Sequence, residues 1–159
     1  RDEILESLKG SFPDLEIATN TLGDLTLSIM GYDVGFYSYR YSMLETGDDL
    51  LGIKVAGLND IASMKLDAIA GRGARREFYD LYFLAHIAPL EQLFEYAEQK
   101  YTYTRDFPMM VLPYLNDFRN ADGQSQVDLL TPLEWEDVKT FFRDETKRLS
   151  QLWFLPPDR

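Results

Sequence analysis

Cysteine is absent from the 159 residues. Disulfides, thiolate zinc sites and cysteine nucleophiles are therefore excluded. Cysteine-free chains occur in every compartment, so the absence constrains chemistry and not location. Histidine is nearly absent too. His86 is the sole one, at the end of a helical run and with no serine, cysteine or metal partner to accompany it. A half-buried residue at a helix C-terminus is the expectation for it, and not a catalytic base. No stretch approaches the ~20 apolar residues that a membrane span requires. Nor does a basic segment followed by an apolar core mark a signal peptide. A cytoplasmic protein of bacterial type is expected. Cations are scarce: 16 Lys and Arg face 27 Asp and Glu, for a net charge of −11. Such a surface repels nucleic acid broadly, so any RNA contact must come from a local basic patch such as Arg72, Arg75 and Arg76. The same acidity suits a basic protein partner. Lys9, Lys54, Lys100, Lys139, Lys147 and Arg148 are scattered, which points to solubility and not to a basic stripe. GRGARRE lacks the lysine–hydroxyl ending and the preceding strand of a P-loop. Internal repeats, low-complexity tracts and clear linkers are missing as well.

What is present is enough apolar sequence, 45% of the chain, for one globular domain or a core with a helical appendage. The first residue is Arg1 and the chain opens directly into RDEILESLKGSF, a short helix with Ile4, Leu5 and Leu8 inward. The interior of a longer protein is expected. LEIAT, DLTLSIM and DVGFYSYRY read as three strands with short turns between them, which favours an antiparallel meander. Tyr37, Tyr39 and Tyr41 read as its wet aromatic rim. LETGDD is a polar loop in which Asp48 and Asp49 form a solvated turn, and Ile53–Lys54–Val55 adds a short strand. From residue 58 onwards the chain turns helical. Pro89 opens LEQLFEYAEQKY, and Pro108 and Pro113 start and then break a helix over residues 105–118. Residues 120–127 form a loop. Thr131 caps a last helix with Pro132 at its first position and a stripe of Leu133, Val138, Phe141, Phe142, Leu149 and Trp153. The PPDR terminus is expected to fray. The fold class is α+β: a partial antiparallel or mixed sheet of about three to four strands over 1–57, then a helical bundle over 58–159, together one compact unit.

The most informative stretch is LNDIASMKLDAIAGRGARREFYDLYFL, from Leu58 to Leu84. Asn59 or Asp60 can cap a helix with Ile61, Met64, Ala68 and Ile69 on its apolar face. Gly71 and Gly73 interrupt it, and a second amphipathic helix resumes with Phe78, Leu81, Tyr82 and Leu84. Lys65, Arg72, Arg76 and Asp80 are separated by seven, four and four positions. If the helix axis continues past the glycines, these steps keep all four in one narrow sector. Three cations and one carboxylate suit a polyphosphate and its metal. They equally suit a solvated face on which Arg76 and Asp80 form an i,i+4 pair worth about 0.3–0.5 kcal/mol. Such pairs are common, so spacing alone favours the solvated face.

KLDAIAGRGARREFYDLYFL closely resembles the K-x-x-A-I-x-x-R-x-x-x-R-[DE]-x-x-D-L-Y-F-L signature of the AbiEii/AbiGii toxin family of nucleotidyltransferases. The upstream run GYDVGFYSYRYSMLE…GIKVAGLNDIASMKL also looks like that family's strand-then-helix approach. The resemblance implies a nucleotidyltransferase-like β core and a toxin of bacterial toxin–antitoxin and phage-resistance systems. It further implies an NTP substrate, Mg²⁺ in the intact parent, an RNA (tRNA) or protein acceptor, and a cognate antitoxin as partner. Carried over by position, Lys65 would grip the triphosphate as a compact point charge. Asp80 would orient Lys65 or an arginine, or help to place the nucleophile or metal. Arg72 and Arg76 would bind phosphate or order Asp80. Arg75 falls between matching positions and takes no site role, facing RNA or solvent. Glu77 fills the [DE] position with a local ion pair, and Asp67 points elsewhere, solvated.

The family's metal-binding G-S-x-x-x-D-x-D motif is missing from this sequence and is expected upstream of Arg1, so metal ligands here are assigned to none. The family's third strand often carries an acid in a V-K-V-D-F pattern. Here Tyr32-Asp33-Val34-Gly35-Phe36 puts Gly35 at that place, with Asp33 displaced by two. Two expectations follow. One is a fragment of a nucleotidyltransferase-like toxin, inactive alone, with Lys65 and Asp80 as catalytic residues and Lys65, Arg72 and Arg76 as the phosphate-binding set. The other is a catalytically degenerate binding module that keeps the phosphate pocket.

Overall fold

The computed structural model describes residues 2–154. The terminal PPDR run lies outside the described residues. Two compact units result, Arg1–Arg40 and Tyr41–Arg159.

The first unit is a helix followed by the expected meander. Helix α1 (Asp2–Ser11) half-buries Leu5 and Leu8 but leaves Ile4 exposed. Strands β1 (Glu16–Thr21), β2 (Asp24–Ile29) and β3 (Tyr32–Tyr37) form an antiparallel sheet in sequence order. The central strand alternates as a half-covered strand must: Leu25 and Leu27 are buried, while Asp24, Thr26 and Ser28 face the other way. A bulge between Ile17 and Thr19 breaks the register of β1. On the polar face Thr26 pairs with Gly35 and Asp24 with Tyr37. The Tyr37 hydroxyl reaches to 3.4 Å from Thr26 Oγ1 and its ring lies over Gly35, where an added Cβ would sit 2.5 Å from Tyr37 Cε2. The third strand thus has no side chain where the family acid was sought, and a ring covers the space.

The second unit opens with a hairpin of two short strands, β4 (Asp49–Leu50) and β5 (Ile53–Lys54). The Asp49 carboxylate accepts the Gly52 N–H at 2.7 Å, so this acid builds a turn. The helices follow: α2 (Leu58–Gly71), α3 (Arg75–Ala85), α4 (Leu90–Lys100), α5 (Phe107–Val111), a 3-10 turn (Leu112–Asn116), α6 (Arg119–Asp122) and α7 (Trp135–Phe154). Aromatic rings meet inside their largely aliphatic core. Phe78 meets Phe118, Trp135 and Phe142 at centroid distances of 5.2, 5.7 and 5.5 Å. The α+β reading holds, with a three-stranded antiparallel sheet and a two-stranded hairpin between α1 and the helices from α2 onwards.

Several local expectations are corrected. The buried face of α2 is Ala62, Leu66 and Ile69, while Met64 is exposed. The face turns because Asp60 is drawn inside: its carboxylate meets Lys100 Nζ at 2.5 Å and accepts the N–H groups of Leu44 and Glu45. Asp60 therefore caps nothing. The start of α2 is held by Glu45, which accepts the Asn59 N–H and its side-chain amide at 3.2 Å each. Lys100 is not a solubilising surface lysine but a buried one, and Lys139 is nearly buried as well. The 105–118 helix is two short pieces parted at Val111–Leu112, and the expected 120–127 loop begins inside α6. Helix α7 starts at Trp135 instead of after Thr131, because Leu133 stays irregular where its carbonyl accepts the Tyr79 hydroxyl at 3.5 Å. His86 is exposed, not half-buried, with Nδ1 2.8 Å from the Tyr82 carbonyl.

Candidate functional site

Helix α2 stops at Gly71 because the chain turns left-handed at Gly73, whose φ is +54°. A side chain there would be strained, and its Cβ would sit 3.4 Å from the Ile69 carbonyl oxygen. Helix α3 starts afresh at Arg75. The axis is thus broken, and the single sector assumed from spacing does not exist. The four residues meet by another route, through the packing of α3 against α2.

At the centre of the meeting is Glu77, for which only a local ion pair was expected. Glu77 is fully buried. One of its oxygens accepts Lys65 Nζ at 2.9 Å, and the other accepts Arg72 Nε at 3.1 Å and an Arg72 terminal N–H. Arg76 Nε stands at 3.4 Å from the same oxygen. Lys65 also reaches Asp80, at 2.5 Å. Lys65, Arg72, Arg76, Glu77 and Asp80 therefore form one cluster of three cations and two carboxylates, a net charge of +1. Burial by itself would depress the Lys65 ammonium, but its hydrogen bonds to Asp80 and Glu77 prevail and raise its pKa. Burial likewise works to raise Glu77, yet the bonds from Lys65 and Arg72 hold it below its ordinary value. Both directions describe one locked ion pair. The two arginines stay open to solvent, Arg72 at 57% and Arg76 at 66% side-chain exposure. Glu77 holds one edge of the Arg72 guanidinium and stands beside Arg76 Nε, while more than half of each arginine side chain stays exposed.

Arg75 is half-buried and drawn into packing between helices. Nε donates to the Ala121 carbonyl at 3.0 Å, a terminal nitrogen donates to the Asp122 carbonyl at 3.3 Å, and the guanidinium lies 5.1 Å from the Trp135 ring centroid. It ties α3 to α6 and α7. Asp67 is exposed, as expected.

A nucleotidyl transferase AbiEii toxin model, of the type IV toxin–antitoxin system, matches residues 14–153. The chain belongs to the AbiEii family. Among curated proteins it is similar to an uncharacterized protein, aq_aa25, of Aquifex aeolicus (strain VF5), at 38% identity over 123 residues. That alignment covers 74% of this chain and 57% of the relative, so the chain spans little more than half the relative's length. No solved structure matches.

The AbiEii signature therefore coincides with a physical cluster. Its [DE] member, Glu77, is the hub, and the one available signal was an acid directly following two arginines. The cluster does not fit a divalent cation. Magnesium takes oxygen ligands in near-octahedral array, whereas Glu77 already has lysine and arginine N–H groups on both oxygens and Asp80 is engaged by Lys65. Among the described residues no three His, Cys, Asp or Glu side chains gather as a metal site. No helix there is long and apolar enough to cross a membrane.

Proposed function

We propose that this chain is the nucleotide-side portion of a nucleotidyltransferase-like toxin, which in the intact parent transfers a nucleotide from an NTP to an RNA (tRNA) or protein acceptor. The observation that carries the reading is the Glu77 hub. A buried carboxylate holds Lys65, Arg72 and Arg76 together while leaving two guanidinium edges exposed. Preorganised cations of this kind bind a triphosphate and stabilise charge passing to a pyrophosphate leaving group. Lys65 serves as the point charge on the phosphates, Arg72 and Arg76 as planar donors, and Asp80 sets the position of the Lys65 ammonium. Mg²⁺ in the parent would neutralise the reacting phosphate and activate the attacking hydroxyl, and its ligands are assigned to sequence outside this chain. A cognate antitoxin is the protein partner this reading assigns.

The test is titration of inorganic tripolyphosphate and NTPs into the chain by calorimetry. Lys65→Ala should weaken binding at least tenfold, about 1.4 kcal/mol. Equal binding by the variant removes the pocket. The chain alone should transfer no label from NTP to tRNA in the presence of Mg²⁺.

A second reading, a degenerate binding module, is favoured by Gly35 beneath the Tyr37 ring. Restoration of transfer by adding the upstream segment of the parent decides between the two.

A further inference from the structure

Beside the cation cluster lies an open cleft of about 390 Å³. Its floor runs from Ile69, at the end of α2, past the break to Gly73, and its wall is Tyr114 of the 3-10 turn, Asp117 beyond it, and Arg119 and Asn120 at the start of α6. Arg72 belongs to both places: its guanidinium is bonded to Glu77, and the residue lines the cleft. The two walls are tied at that residue, because the Asn120 side-chain amide donates to the Arg72 carbonyl. A ligand with one end on the cations thus has an adjoining space for the other end.

The lining describes what that other end is. Gly71 carries no side chain and has open space where one would be, so a ligand can lie against bare backbone. Half-buried Ala70 adds a small apolar floor. Tyr114 is exposed and offers an aromatic face. Arg119, 90% exposed, makes a bidentate pair with Asp117, with Nε at 2.8 Å from one carboxylate oxygen and a terminal nitrogen at 2.5 Å from the other. That pairing orders the guanidinium plane, a second flat surface. Flat π faces, a small apolar floor and polar groups at the rim suit a heterocyclic ring joined to a sugar.

We propose that the cleft bounded by Arg72, Tyr114 and Arg119 takes the nucleoside half of the nucleotide whose phosphates lie on Lys65, Arg72 and Arg76. This rests on the phosphate reading above and extends it from a charge site to a whole-nucleotide site. The cluster binds any polyphosphate, and the cleft supplies the preference for one that carries a base.

The experiment separates the halves. Inorganic tripolyphosphate and the four ribonucleoside triphosphates are titrated by calorimetry, in metal-free buffer, against wild type, Lys65→Ala, Tyr114→Ala, Tyr114→Phe and Arg119→Ala. At least one NTP should bind wild type tenfold or more tighter than tripolyphosphate. Tyr114→Ala should bring that NTP down to the tripolyphosphate level while leaving tripolyphosphate itself unchanged. Tyr114→Phe should keep the advantage, and Lys65→Ala should weaken both ligands. Arg119→Ala, at a fully solvated position, should reduce the NTP advantage without affecting folding.

If wild type binds neither ligand, the phosphate reading fails and the cleft falls with it. If wild type binds tripolyphosphate and NTPs equally, the cleft proposal alone is overturned. It is also overturned if Tyr114→Ala leaves the NTP advantage intact while weakening a single-stranded oligoribonucleotide, which would make the cleft an acceptor site.

Discussion

Asp60 Oδ1 lies 2.5 Å from Lys100 Nζ, and both side chains are shut off from water. The lysine also donates to the Ser42 carbonyl at 3.0 Å, and the carboxylate accepts the Leu44 N–H with both oxygens. The pair therefore ties the stretch before α2 to α2 and α4. A buried pair of this kind adds little over a well-packed apolar substitute, but losing one partner strands the other. Lys100→Met should destabilise the fold by about 3–5 kcal/mol in urea titration. Combining it with Asp60→Asn should cost less than the sum of the two single changes, since asparagine carries no stranded charge and still accepts the Leu44 N–H. Simple additivity would mean that the two groups are not coupled.

Glu77 makes an acid-side prediction. Its folded pKa is held below the ordinary value, despite burial, by hydrogen bonds from Lys65 and Arg72. A carboxylate shifted down contributes stability that is present above its unfolded pKa and is lost as pH falls through the folded one. Asp60 is shifted the same way, burial being outweighed by Lys100 and the N–H groups of Leu44 and Glu45. Glu77→Gln should therefore cost about 1–3 kcal/mol at pH 7, a deficit that shrinks as urea midpoints are measured down to pH 3. Lys65 is shifted up, so its contribution is full below about 10.5 and is lost only as pH rises through its folded pKa. The variant should lose part of that alkaline limb as well. A deficit that stays constant from pH 3 to pH 7 would mean that Glu77 acts by packing and not by charge.

The sequence carried the broad outline of this molecule in two kinds of signal. Alternation in DLTLSIM and short turns announced the meander, and proline positions announced α4 and the break at Leu112. Local pattern was blind where a polar residue is paired at a distance. Lys100 and Asp60 are 40 positions apart, so nothing nearby marks either as buried. The same holds for Glu77 and Lys65, 12 apart on different helices. Helical spacing singled out Lys65, Arg72, Arg76 and Asp80 by assuming one axis, whereas the structure joins them across a left-handed break at Gly73. Family likeness pointed to those residues on grounds that periodicity alone did not supply.

Arg148 looks stronger than it is. It pairs with both Glu91 and Glu145, and hydrogen bonds to them lift its pKa well above its ordinary value. The pairs are open to solvent, however, and exposed ion pairs are worth about 0.2–1 kcal/mol because water and salt screen them. Arg148→Ala should lower stability by less than about 1 kcal/mol, and 1 M salt should remove most of that difference. A larger, salt-independent loss would assign the effect to packing of the arginine stem on α4 and α7.

Gly35 tests whether the missing strand acid is a packing constraint. Any Cβ there meets the Tyr37 ring, at 2.5 Å from Cε2 and 2.7 Å from the hydroxyl oxygen. These atoms are the far end of a side chain that is largely exposed and whose hydroxyl lies 3.4 Å from Thr26 Oγ1. The ring can therefore swing aside at small cost. Replacing glycine inside a strand also recovers about 0.5–1 kcal/mol of backbone entropy. Gly35→Ala and Gly35→Asp should both fold within about 1 kcal/mol of wild type in urea, with the Tyr37 ring resonances shifted in NMR spectra. That outcome would mean that the fold tolerates an acid at this position and that packing did not remove it. A loss above about 3 kcal/mol with unshifted Tyr37 resonances would show the reverse: a ring locked over the strand, and a site that admits no carboxylate.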